Sequence, residues 1–126
     1  LESYEFEETS NLILSVFTLH FLPIEERKKL LKRVNQTLNK GGAFLLVEKT
    51  YPENAKIQDI YTQIYHDEKE SNGLTACDIR NKEKALRGVL TPLTISENLD
   101  LLTSSGFSNV DVFFKHLQFT GFLAIK

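Results

Sequence analysis

The sequence predicts an α/β protein with an open mixed sheet: two parallel strands near the start, an antiparallel hairpin at the end, and helices packed on the sheet. Three observations lead there. Two short apolar runs, Leu12 to Phe17 and Ala43 to Val47, flank a helical pattern within about 35 residues, the minimal unit of a parallel sheet. The chain closes on two strand-like segments joined by a short turn. The residues between carry the capping chemistry of further helices.

The run Leu12-Ile13-Leu14-Ser15-Val16-Phe17 does not alternate, as expected of a strand covered on both faces. Pro23 suits a helix first turn, with Glu25 and Glu26 near the positive end of the dipole. Leu30, Leu31, Val34 and Leu38 mark one face of that helix, which should end near Asn39 and be stopped by Gly41 and Gly42. Ala43 to Val47 is the second strand. After Pro52, Ile57, Ile60, Tyr61 and Ile64 repeat at helical spacing as far as about Glu70, before Asn72-Gly73 breaks the helix. Thr75 with Asp78 has capping-box spacing, and Ile79 and Leu86 share one side of the helix that follows. Beyond Pro92, Thr94 and Glu97 form a second box, Leu99 and Leu102 give a buried face, and Gly106 supplies the stop. The last strands are Asn109 to Phe114 and Gln118 to Ile125, joined around Lys115-His116-Leu117. Two sequential parallel strands followed by an antiparallel hairpin make the sheet open and mixed.

Composition narrows the function classes. At 126 residues, 41% hydrophobic and 25% charged, the chain has the make-up of one soluble domain with one core. Its formal charge of −2 comes from interspersed acids and bases. The one basic cluster, Arg27 to Arg33, falls within a helix and reads as a solvated face rather than a nucleic-acid stripe. A single cysteine, Cys77, has no partner for an internal disulfide, which favours the reducing cytoplasm, and it reads as a plain buried or half-buried thiol. No apolar stretch reaches the roughly 18 residues of a membrane span, and the acidic start LESYEFEE is unlike a signal peptide. A chain beginning at Leu1 is expected to be processed, truncated or excerpted. His20, His66 and His116 lack metal-ligand spacing, so no metal is expected.

The element order, and the segments NLILSVFTLHFLP (11–23), KGGAFLLVEK (40–49) and SSGF (104–107), resemble the second half of the class I S-adenosylmethionine-dependent methyltransferases. That half runs strand four, helix D, strand five, helix E with insertions, and a terminal hairpin. In order, FTLHFL, EERKKLL, LNKGGA, VEK, HDEK, SNGL and GFSN are similar to the CmoA branch, which the resemblance identifies with carboxy-S-adenosylmethionine-dependent tRNA uridine methyltransferases. The implied architecture is the C-terminal half of a Rossmann-like methyltransferase fold, residues 1–126 forming one partial domain. The glycine-rich turn and the ribose-holding acid of the family's donor-binding half have no counterpart in these residues. The fragment alone should therefore be inactive, with S-adenosyl-L-methionine as donor in the intact protein.

The resemblance also places the site. Ser15, Val16, Phe17 and His20 would lie beside the donor, at the carboxyl edge where open α/β sheets hold ligands. His20 is the candidate general base. Glu48 and Lys49, at the end of the second strand, with Tyr65, His66, Lys82 and Glu83, would form the substrate side. Val16 replaces a donor-contacting Asn of the branch, and Glu83 replaces an Arg that pairs with the donor's extra carboxylate. Ordinary S-adenosylmethionine is accordingly expected, with the acceptor, a small molecule or RNA, left open. The edge of the first strand would carry unpaired backbone groups, so a homodimer through that edge, or by element swapping, is expected. The alternatives are a non-catalytic dimerisation or regulatory module of the same fold and a nicotinamide oxidoreductase domain. The latter is disfavoured by the terminal hairpin and the missing glycine fingerprint.

Overall fold

The computed structural model describes residues 8–126; the acidic start lies outside them apart from Glu8. Elements follow in the order β1 (Ser10–Val16), α1 (Ile24–Thr37), β2 (Leu38–Tyr51), α2 (Ala55–Ser71), α3 (Ala76–Leu86), β3 (Leu93–Thr94), α4 (Ile95–Ser104), β4 (Asn109–His116) and β5 (Phe119–Ile125), with a 3-10 turn at Leu19–Phe21. Strand order is β1-β2-β5-β4. β1 runs parallel to β2, with Ile13 opposite Phe44 and Val16 opposite Val47. β5 runs antiparallel to both β2 and β4, with Phe122 opposite Leu46 and Val112. This is the open mixed sheet expected of the sequence. The short β3, which extends β2 in parallel from Thr50 and Tyr51, carries too little apolar pattern to be read in advance.

One face of the sheet holds the core. Leu30, Leu31 and Val34 of α1 and Leu101 and Leu102 of α4 bury against Phe44, Leu46, Phe122 and Ala124, with Phe107 stacked on Phe44 at 5.9 Å between ring centroids. Burying each such side chain is worth roughly 1.5–3 kcal/mol, and this layer fixes the carboxyl ends of β1 and β2. The other face is open among the described residues. Leu12, Leu14 and Val16 are 53–61% exposed, which corrects the expectation of a strand covered on both sides: a continuous apolar run shows that both faces are oily, not that both are covered.

The helix ends follow local chemistry. Asn54 accepts from the N–H groups of Lys56 and Ile57, and both capping boxes, Thr75 with Asp78 and Thr94 with Glu97, form as their spacing implies. α1 stops earlier than expected. Thr37 is its last residue, Leu38 turns extended, and Gly41 and Gly42 belong to β2. There Gly41 adopts φ +77°, and a Cβ on Gly42 would come within 2.8 Å of the Asn39 carbonyl oxygen, so these glycines admit a bulge instead of ending a helix. Two surface readings also change. Arg27, within the basic cluster, is buried and donates to the carbonyls of Leu22 and Thr91 at 3.0 and 2.9 Å. Cys77 is exposed, because α3 buries only Ile79.

Candidate functional site

Alternation along β2 decides the site. Phe44, Leu46, Glu48 and Thr50 point to the core side, while Leu45, Val47 and Lys49 point to the open side. Glu48 is therefore a carboxylate at a core position, 2% exposed, and burying it requires several partners. The turn after β1 supplies them. Oε1 accepts from the N–H groups of Thr18 and Leu19 at 3.2 and 2.9 Å, and Oε2 accepts from the N–H of His20 at 2.9 Å and pairs with its ring Nδ1. Arg27 lies close enough for Glu48 to support its charge, though burial still holds the guanidinium below its ordinary range. Sequence reasoning set Glu48 beside Lys49 on the substrate side. The geometry instead gives it the task of holding the turn that carries His20, an assignment that depends on strand pairing and leaves no local signature.

Phe17 precedes this turn with φ 51°, a left-handed conformation that an aromatic residue adopts only under constraint from its surroundings. Its N–H reaches the Val47 carbonyl at 2.8 Å, and Glu48 grips the next three amides. The strain is thus held from β2, and it turns the Phe17 ring onto Phe119, edge to face at 5.4 Å. Tyr65 of α2 also meets Phe119, edge to face at 5.3 Å.

These rings wall a cavity of about 770 Å³ at the carboxyl ends of the parallel strands, beneath α2 and α3. Phe17, His20, Lys49, Tyr65, His66, Lys82 and Glu83, all singled out from sequence, line it together. Ser15 and Val16 sit further down β1 and do not; Ser15 is half-buried on the α1 side and Val16 is exposed on the open face. Lys69, Arg87, Gln58 and Gln118 line the cavity without having been foreseen, since single polar residues on amphipathic helices carry no periodic signal.

Charge in the cavity is one-sided. Among the described residues, Lys49, Lys69, Lys82 and Arg87 face a single carboxylate, Glu83, whose Oε1 lies 2.5 Å from His66 Nε2. Burial lowers the Lys69 ammonium from its ordinary range and the Lys82 and Lys49 charges lower it further, with Glu83 opposing. Burial likewise lowers Lys49, again with Glu83 opposing. Lys69 also rests over the Tyr65 ring at 3.9 Å. No group of three or more His, Cys, Asp or Glu residues suited to a metal occurs among the described residues. Nor is any described helix long and apolar enough to cross a membrane.

Solved structures define the class of fold. Human N-acetylserotonin methyltransferase in complex with SAM matches 99% of this chain and 31% of its own, with a TM-score of 0.64 and 18% identity. An O-methyltransferase family 2 protein from Planctomyces limnophilus, in complex with apigenin, matches 98% of this chain and 32% of its own at a TM-score of 0.65 and 15% identity. The architecture is that of part of a Rossmann-like methyltransferase, with the strand order of its second half.

Within that class the sequence is CmoA-like throughout. Carboxy-S-adenosyl-L-methionine synthase from Staphylococcus epidermidis is 44% identical over all 126 residues, and its namesake from Methylococcus capsulatus is 38% identical over 119 residues. The chain spans about half the length of these curated relatives, 55% and 49% respectively. No established family profile matches it. The relatives' name amends one expectation: they are named for making the carboxylated donor, not for methylating tRNA uridine with it.

Proposed function

We propose that this chain is the acceptor-side half of an S-adenosyl-L-methionine-dependent methyltransferase site. The observation that carries the reading is the Glu48-held turn, which sets Phe17 and His20 at the mouth of the cavity above the parallel strands. S-adenosyl-L-methionine supplies an electrophilic methyl group on a sulfonium. The residues present fit one wall of its site: the ends of β1 and the turn offer apolar surface and fixed backbone. No glycine-rich turn leading from a strand into a helix is present in this sequence to grip the rest.

The chain's own residues orient the acceptor and take its proton. The His20 ring meets Glu48 through Nδ1, and its other nitrogen, Nε2, is the proposed proton acceptor from a hydroxyl or amine nucleophile. Phe17, Tyr65 and Phe119 exclude water and align the nucleophile, and alignment provides most of the rate of an in-line displacement. The single exposed Cys77 suits a reducing, cytoplasmic setting. The non-catalytic alternative has no feature that favours it, since a purely structural module has no use for an oriented imidazole in a polar cavity.

The test is complementation. Calorimetric titration with S-adenosylhomocysteine is run on this chain alone and with the part of the Staphylococcus epidermidis relative that it does not match. Binding is expected only in the mixture, with methyl transfer lost in His20→Ala. A complex that forms yet binds no S-adenosylhomocysteine defeats the reading.

The edge of β1, which pairs with no other strand among the described residues and has Leu12, Leu14 and Val16 exposed beside it, supports a second proposal, self-association through that edge. Sedimentation equilibrium should show a dimer that Leu14→Lys weakens. A wild-type monomer at the highest soluble concentration would rule it out.

A further inference from the structure

Two glycines in the left-handed region flank α3, Gly73 at φ +90° and Gly88 at φ +73°, and a Cβ at either would meet nothing within 4 Å. Backbone rotation at both points is therefore permitted and unobstructed. The helix between them is lightly seated. It buries one side chain, Ile79. Among the described residues, one side-chain hydrogen bond ties it to another element, between Glu83 Oε1 and His66 Nε2 at 2.5 Å. The segments on either side are fixed far more firmly. α2 is held to the β4–β5 hairpin at four places: Thr62 by Gln118, Tyr65 against Phe119, Tyr61 under Lys115, and Glu68 beside His116. Beyond Gly88, the Thr91 N–H donates to the His20 carbonyl at 2.8 Å, and the Thr91 carbonyl accepts from Arg27 at 2.9 Å.

Two cavities meet at the seam between α2 and α3. To the one of about 770 Å³ at the strand ends, α3 and the turn after it contribute Lys82, Glu83, Leu86 and Arg87. A second, of about 520 Å³, opens among Glu70, Cys77, Ile79 and Arg80. His66 and Glu83 line both, so the seam is poorly filled except where this pair bridges it. We propose that residues 74–87 form a hinged lid on the larger cavity, turning about Gly73 and Gly88 and latched by His66 and Glu83. When the lid lifts, Lys82, Glu83, Leu86 and Arg87 leave the cavity wall, while Lys49, Tyr65 and Lys69 stay with the sheet and α2. Hinges of this kind are a few positions at element ends that absorb the backbone change. A half-exposed ion pair is worth little in water, which suits a latch that has to release. Closure also returns the Glu83 carboxylate to Lys49 and Lys69, whose charges it supports. The lid requires no particular ligand and its test uses none, so it stands or falls separately from methyl transfer.

The full chain is spin-labelled at Cys77, its one cysteine and exposed on α3, and at Asp100→Cys, an exposed position on α4. Double electron–electron resonance then reads the distance between the labels, and two populations are expected. His66→Ala should raise the ratio of open to closed by about two- to fivefold, the worth of an exposed pair. Ile79→Ala should raise it by about tenfold or more. A reference pair, Gln63→Cys on α2 with Asp100→Cys in a Cys77→Ser background, should give one distance that His66→Ala does not move. Access is read independently: acetic anhydride should acetylate Lys49 about two- to fivefold faster in His66→Ala, with Lys28 on α1 unchanged. If circular dichroism shows that Ile79→Ala does not fold, the His66→Ala measurements decide alone. A single distance shared by the wild type and the folded variants, an equal spread in the α2 reference pair, or Lys49 acetylation indifferent to His66→Ala overturns the proposal.

Discussion

Replacing Glu48 by Ala should destabilise the chain far more than the loss of any surface carboxylate. The side chain, 2% exposed, accepts three backbone N–H groups and pairs with the His20 ring. Truncation leaves three buried N–H groups without their acceptor, and it deprives buried Arg27 of its nearby anion. Breaking a buried charge network from one side costs about 3–5 kcal/mol, against a total of roughly 5–15 kcal/mol for a domain. Glu48→Gln keeps the shape but sets an NH2 group against donors, so about 1–3 kcal/mol is expected. Urea unfolding followed by far-UV circular dichroism measures both, with the m-value checked for constancy. Glu25→Ala, which removes an exposed partner of Lys28 in the first turn of α1, is the control and should move the midpoint far less. A Glu48→Ala loss below about 1 kcal/mol would show that the turn holds itself, and the positioning argument would fail.

Three further outcomes follow from the same geometry. Gly106 ends α4 at φ +106°, and a Cβ there would meet Asn35 Oδ1 at 3.1 Å, so Gly106→Ala should cost about 1–2 kcal/mol in the same urea assay, and a neutral result would refute it. Thr94→Ala removes the side-chain acceptor for the Glu97 N–H and should cost about 1 kcal/mol, with amide exchange quickening in the first turn of α4 and not in α1. Burial lowers Lys49 in the folded chain from its ordinary 10.5, so the unfolded chain binds more protons between the two values. Stability should accordingly rise as pH climbs towards 10.5. Lys49→Met should be more stable at neutral pH and show a shallower rise, with the remainder due to Lys69 and Lys115, which burial also lowers; a variant with the full rise contradicts the assignment.

Much of the scaffold was legible because its signals are local. Thr75 with Asp78 and Thr94 with Glu97 cap helices through contacts three residues apart, and the oily runs of β1 and β2 declare themselves by composition. The cavity was legible in part, since Phe17, His20 and Lys49 stand at strand ends and strand ends in an open sheet converge. Other features were hidden because they arise only when distant segments meet. Gln118 and Thr62 look like ordinary polar residues until α2 lies across the hairpin.

The sequence by itself determined the order of elements, the helix caps and the sheet's two oily faces, all of which depend on residues within a few positions of one another. Tertiary structure alone decided which way Glu48 points, that Arg27 goes inside, that Gly41 shapes a bulge, and that one sheet face stays open. Each of these turns on pairing between segments tens of residues apart. A one-residue change of register would have sent Glu48 to the opposite side of the sheet without altering a single local preference.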